Sequence, residues 1–297
     1  MVLLESVIVN LIQSMLTYLN NCFTDISTHL QTTPADFSGG GVWDIVTNIN
    51  AGIQGIGYGL LVLFFLMSFF KTTTNFRDIS LQQAIGWIVR FILVKLVIDY
   101  GIAILNFCIN ISLGVNDTIF EHAGSFEFAG VPQEVLDAVA NMQDAEWYER
   151  LGAFFQTLPM LIIGGIGFLV IWICGIVMIV SVYMRFFKVY IYSALAPIAL
   201  STFGSQETSQ TGKHFIKAYA AVCMEICVIA LAIVIFNAMV SSNNFIFPSW
   251  TENIGQGANW EYWNVLVNYL FQIIIQAVML CMAVTSANRF IREMLGV

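Results

Sequence analysis

Apolar and polar positions alternate along this chain in two distinct rhythms. In MVLLESVIVNLIQSMLTYLNNCF, residues Leu4, Ile8, Leu11, Met15, Leu19 and Phe23 recur at helical spacing, while Glu5, Asn10, Gln13, Thr17 and Asn20 take the other side. This predicts an amphipathic helix that lies in the bilayer surface or packs along a protein partner, without spanning. It lacks the lysines of a lipid-binding amphipath, which favours protein packing. Glu5 and the missing basic n-region also separate it from a cleavable signal peptide. The stretch QTTPADFSGGG (31–41) then reads as a turn-rich linker.

Beyond the linker the rhythm gives way to long apolar runs. A spanning helix needs about 20 apolar residues, because the hydrocarbon core is about 30 Å thick. Five runs qualify: Gly52–Phe70, Phe91–Leu113, Met160–Met184, Ala218–Val240 and Asn264–Ser286. A sixth, Val189–Phe203, reaches only about 22 Å as a helix. It also contains Pro197, which removes a backbone donor and disfavours helix at Ala196. Ala194, Ala196 and Pro197 therefore mark a short segment, expected either to dip into the bilayer and return or to lie at its interface.

Charge placement decides whether that segment crosses, since loops rich in Lys and Arg stay cytoplasmic. If it does not cross, Lys71, Arg77, Arg185, Lys188, Lys213, Lys217, Arg289 and Arg292 share one side, and only Arg150 lies opposite. If it crosses, Lys213, Lys217, Arg289 and Arg292 move over to join Arg150, leaving four against five. The first arrangement obeys the rule. It makes Arg185, Lys188, Lys213, Lys217, Arg289 and Arg292 cytoplasmic anchors. The resulting fold class is all-α, a polytopic helical membrane protein of five full spans with the N-terminus outside and the C-terminus cytoplasmic. Its parts are an extracytoplasmic amphipathic helix and linker (1–50), two spans (51–113), an acidic outer loop with a helix over 132–151 (114–157), and three spans with the proline segment (158–297).

Composition agrees. Of the 297 residues 58% are apolar and 10% charged, with a mean hydropathy of +0.80, whereas a soluble domain carries about 25% charged residues. The net charge of −8 argues against a protein that grips nucleic acid through many phosphates. The six cysteines, Cys22, Cys108, Cys174, Cys223, Cys227 and Cys281, have neither metal-ligand spacing nor a disulfide pattern. No HExxH, GxSxG or phosphate loop occurs. An enzyme is disfavoured, and neither cofactor nor metal is expected.

The chemistry worth following lies inside the spans. Lys95, Asp99, Asn106 and Asn110 fall on one helical face, and Asn264, Asn268, Gln272 and Gln276 form a ridge at fourfold spacing. Glu225 sits about two turns inside the fourth span and needs a cation, with Lys95 or Arg90 as candidates. Lys95, Asp99 and Glu225 read as interhelical glue, and the amide ridge as either glue or the lining of a wet path. Gly55 with Gly59, and Gly164, Gly165 and Gly167, suggest close-packing faces.

The five-span plan, the large central outer loop and the basic-flanked stretch FFKVYIYSALAPIALSTFGSQETSQTGKHFIKAYAAVCMEICVIALAIVIF (186–236) resemble the TrbL-like channel subunits of type IV secretion systems. The likeness covers about residues 50–290. It implies an oligomeric subunit in a bacterial cytoplasmic membrane, working with further secretion subunits and ATPases to pass a single-stranded DNA–relaxase complex outward. It also maps substrate contact onto 114–157, which here lacks the basic residues that would bind DNA. The alternatives are a small-solute permease, for which no internal repeat or second broken helix is found, and an assembly factor without a conduit. A reporter fused after Gln206 is expected to be active only in the cytoplasm; activity on the exterior would invert the last two spans.

Overall fold

The computed structural model describes residues 2–74, 81–123, 147–241 and 258–297. Most of the outer segments expected at 132–151 and 241–263 lie outside the described residues. Seven α-helices follow one another, with no strand among the described residues: α1 (Val2–Gln31), α2 (Gly41–Thr74), α3 (Leu81–Asp99), α4 (Gly101–Ala123), α5 (Trp147–Ser201), α6 (Ser209–Ser241) and α7 (Ala258–Leu295). Five stretches are long and apolar enough to cross a membrane: Gly41–Lys71, Gly101–His122, Leu161–Gly204, Ser209–Val240 and Asn264–Leu295. This is a multi-pass helical membrane protein, as the apolar runs predict.

The chain divides into two compact units. The first takes α1 to His29, α5 to Ser181, α6 from Ile229 and α7 to Ser286. Its buried residues include the apolar stripe of α1 (Ile12, Met15, Leu19, Cys22, Phe23 and Ile26) and Ile171, Met178, Leu270 and Leu280. Small residues set the closeness of this packing. A Cβ on Gly164 would lie 3.1 Å from Leu11, one on Gly167 2.5 Å from Ile274, and one on Gly175 2.6 Å from the Tyr18 ring. The Tyr18 hydroxyl donates to the Trp172 carbonyl at 3.1 Å. The amphipathic helix thus packs lengthwise on α5 of its own chain, its residue numbers rising in step with those of α5.

The second unit takes Leu30–Glu121, Val182–Val228 and Ala287–Val297. The linker closes with a turn in which Phe37 N–H donates to the Thr33 carbonyl and Thr33 Oγ1 donates to Asp36 Oδ2 at 2.7 Å. Gly39 and Gly40, at φ 67° and 81°, supply backbone that other residues rarely adopt. Phe37 stacks on Phe186 with ring centroids 4.1 Å apart. Helices α2 and α3 pair through Phe65–Phe91 and Phe69–Trp87. The expected span Phe91–Leu113 is divided at Tyr100, although Tyr100 N–H still reaches the Leu96 carbonyl and Ile104 N–H the Tyr100 carbonyl. The apolar span accordingly begins at Gly101.

The proline segment differs from expectation. Val189–Phe203 is not a separate short dip. Its residues to Ser201 are the last turns of α5, a 55-residue helix about 82 Å long. It forms no sixth span, as expected, but neither does Pro197 end the helix. A proline at 197 leaves the Ser193 carbonyl without its helical donor. The buried Asn50 of α2 takes that place, its Nδ2 donating to Ser193 O at 2.6 Å. About two turns further along α2, Gly57 lets the backbones meet: a Cβ there would lie 2.9 Å from the Pro197 oxygen. The chain reverses only at Thr202–Gly204. There Arg90 of α3 donates through Nε to Phe203 O (2.8 Å) and through Nη2 to Ser205 O (3.1 Å), covering carbonyls that a helix end leaves open.

Two glycine expectations are corrected here. Gly55 and Gly59 would meet nothing within 4 Å if given a Cβ, so the spacing motif faces away from the chain's own packing and Gly57 makes the contact. Gly165 is likewise open. The junction predicts non-additive mutations. Asn50→Ala should cost about 1–3 kcal/mol by stranding a buried carbonyl. Adding Pro197→Ala, which restores an amide to Ser193 O, should recover much of that loss. Thermal unfolding in detergent reads the cycle, and strictly additive effects would refute the pairing.

Candidate intramembrane polar site

Within the second unit α5 and α6 run antiparallel, and their facing sides carry the most consequential charges. Tyr192 packs against Phe215 and Tyr219. One turn earlier on α5, Lys188 meets Glu225 of α6, with Nζ 3.3 Å from Oε2 and 3.4 Å from Oε1. Glu225 is 4% exposed. Its partner is therefore Lys188, which the sequence reading counted only as a cytoplasmic anchor, and neither Lys95 nor Arg90. Lys95 is exposed and pairs with Asp99 at 3.9 Å within α3, while Arg90 serves the α5 corner.

Arg185 departs furthest from its expected role. Instead of anchoring a solvated loop, it is fully buried, and Nε, Nη1 and Nη2 have no hydrogen-bond partner among the described residues. Its guanidinium lies 5.0 Å from the Phe186 ring centroid and within electrostatic reach of Glu225. The i,i+3 spacing puts Arg185 and Lys188 on one side of α5, so one carboxylate pairs with Lys188 and lies within electrostatic reach of Arg185. A guanidinium stays protonated, and a buried charge costs several kcal/mol unless compensated. The Glu225 carboxylate and the Phe186 π-face offset part of that cost. Two of this unit's positive charges thus lie within its helix packing, Arg185 wholly and Lys188 in part.

The other expected groups scatter. Asp99 accepts from the Tyr58 hydroxyl of α2 and forms a looser ion pair with Lys95. Asn106 is half-buried and Asn110 exposed. The buried polar side of α4 is instead Ser112 and Asn116, whose Nδ2 donates to Leu30 O at 3.2 Å. Those two residues share a face with Leu105, Ile109 and Leu113, and that periodicity was the signal available to find them. Ala196 and Pro197 are buried and Ala194 half-buried. Lys213 and Lys217 line, with Gln210, Thr211, His214 and Gly296, an open basic groove of about 570 Å³. Lys217 Nζ also donates to the Leu295 carbonyl at 3.3 Å. Arg289 is exposed and pairs with Glu293, and Arg292 donates to Asn288 Oδ1.

In the first unit the amide ridge of α7 turns inward. Gln276 is buried, and Asn264, Asn268 and Gln272 are half-buried. The buried Oδ1 atoms of Asn264 and Asn268 have no hydrogen-bond partner among the described residues. Among the described residues no group of His, Cys, Asp and Glu could hold a metal ion.

The family described as TrbL/VirB6 plasmid conjugal transfer like protein matches residues 19–197. The chain belongs to this family. The match runs from the second half of α1 to Pro197 and takes in Asn50, Gly57, Arg185 and Lys188. No curated protein and no solved structure gives a significant match. Membership makes the chain a membrane subunit of conjugal transfer, with other type IV secretion subunits as the expected partners.

Lys188→Met should destabilise the subunit by about 3 kcal/mol, because Glu225 would remain buried with its hydrogen-bonded cation gone. Lys188→Met combined with Glu225→Met should recover only part of that loss, because the buried Arg185 then loses its nearby carboxylate. Thermal unfolding in detergent measures both against Lys95→Met, which removes an exposed pair and should cost less than about 1 kcal/mol. A Lys188 effect no larger than the Lys95 effect would refute the assignment.

Proposed function

We propose that the chain is a structural, conduit-forming subunit of a conjugative type IV secretion system, seated in the bacterial cytoplasmic membrane. Several copies, with further secretion subunits and their ATPases, would enclose the path of a single-stranded DNA–protein substrate. The observation that supports this reading, beyond family membership, is a set of buried polar groups without a hydrogen-bond partner among the described residues. The carboxamide oxygens of Asn264 and Asn268 are the plainest. Polar groups out of reach of water cost free energy unless paired, so these are groups for neighbouring subunits or for water to complete. The net charge of −8 suits a wall that lets a polyanion pass without holding it.

Two measurements test this together. The subunit extracted in native-like lipid should run as a closed ring of several copies. Donor cells lacking it should lose DNA transfer while relaxase nicking continues, and crosslinking during transfer should join the moving strand to the restored subunit. A monomeric subunit, or transfer unchanged without it, would overturn the reading.

A further inference from the structure

The first unit has two unlike exposed sides. Along α5 the exposed residues are Ile162, Ile166, Leu169, Trp172, Ile173, Ile176, Val177 and Val180. Along the α6 portion they are Leu231, Ile235, Ala238 and Met239. This is a surface made for lipid tails. Along α1, between Asn10 and Thr28, every exposed residue is polar: Asn10, Gln13, Ser14, Thr17, Asn21, Thr24, Asp25 and Thr28. All the apolar residues of that stretch are buried or half-buried against the unit.

The two sides stand at the same level. Leu11 abuts Gly164, Met15 abuts Gly167, and Tyr18 and Cys22 abut Gly175. The polar face of α1 therefore runs beside the charge-free part of α5, the stretch that must sit in hydrocarbon if any part of that helix does. Ser14, Thr24 and Thr28 return their hydroxyls to carbonyls four residues back, a habit that makes hydroxyls tolerable in apolar surroundings. The carboxamides of Asn10, Gln13 and Asn21 have no such inexpensive escape, and lipid exposure would cost several kcal/mol for each. A groove of about 560 Å³ follows this face, lined by Asn10, Gln13, Ser14, Thr17, Tyr18 and Asn21.

We infer that the exposed face of α1 lines a water-filled passage, enclosed when copies of this chain assemble with their α5 flanks toward lipid. This rests on the conduit reading and sharpens it. The lining is assigned to α1, while the inward-turned amide ridge of α7 is left to meet neighbouring subunits or buried water. Its chemistry is neutral amide and hydroxyl, with Asp25 as the one formal charge among the exposed residues from Asn10 to Thr28. Such a surface would wet a passing strand without binding its phosphates.

Single cysteines at Ser14, Thr17 and Asn21, and at Leu169, Ile173 and Ile176 for comparison, test the assignment in donor membranes holding the assembled apparatus. Native Cys22 is buried, and the parent chain gives the background. A charged, membrane-impermeant maleimide should label the α1 positions and spare the α5 positions, which a hydrophobic maleimide should reach; labelled cells should lose transfer. Failure of the charged reagent at α1, with disulfides forming there between copies, would mean a dry contact and overturn the inference while leaving a conduit elsewhere. Equal labelling of both sides would also overturn it, since the unit would then stand in water. Charged labelling confined to α1 with transfer undiminished would uphold the wet face and refute the conduit reading instead.

Discussion

The second unit turns on one hydrogen bond, from the Asn50 carboxamide to the carbonyl that Pro197 leaves open. A helix in an apolar environment cannot carry an unpaired backbone group without loss, so a proline about three turns after a buried arginine should have ended α5. Asn50 reaches Ser193 O at 2.6 Å, and Gly57 lets α2 lie against Pro197 itself. The helix keeps its course to Ser201 and delivers the chain to a corner whose carbonyls are taken by Arg90. Three separate elements thus depend on a polar residue, a small residue and a cation, each placed where a backbone valence would otherwise be open.

The same logic governs the charges. Lys188 and Glu225 could persist at low exposure only together, and Arg185 only because a carboxylate and an aromatic face lie within reach. Replacing a buried pair by apolar residues often costs little, whereas removing one member costs much. The cluster is therefore weak as a source of stability and strong as a constraint. It fixes which face of α5 meets which face of α6, and it sets the level at which they meet.

Reading the residues in order recovered what is local. Five apolar runs became five spanning candidates because length and apolarity suffice for that inference, and the stripe of α1 was legible from its period alone. What failed was every judgement that needed a distant partner. Arg185 and Lys188 looked like the edge of a loop, and Pro197 looked like a stop, because nothing within twenty residues offsets a cation or replaces an amide. The groups that do so lie 37 and 143 positions away. Likewise the Gly55–Gly59 spacing is a true close-approach pattern, yet spacing does not say which face has a neighbour, and Gly57 is the glycine that has one.

The two polar stripes of the first unit show why exposure, and not polarity, has to choose between glue and lining. By sequence the α7 ridge was the better candidate for a wet path, with four carboxamides in strict register. In the folded unit it turns inward, whereas the humbler α1 stripe faces out beside an apolar flank that demands lipid. A helix with every apolar residue spent on its own chain has nothing left to offer hydrocarbon. Its outer face must meet water or a polar neighbour, and a face of neutral amides and hydroxyls is poorly suited to a tight polar neighbour, since each amide adds donors and acceptors that a dry contact would have to match one by one. Water matches them without geometric demand, so the same residues that make α1 a poor lipid surface make it a tolerant wall.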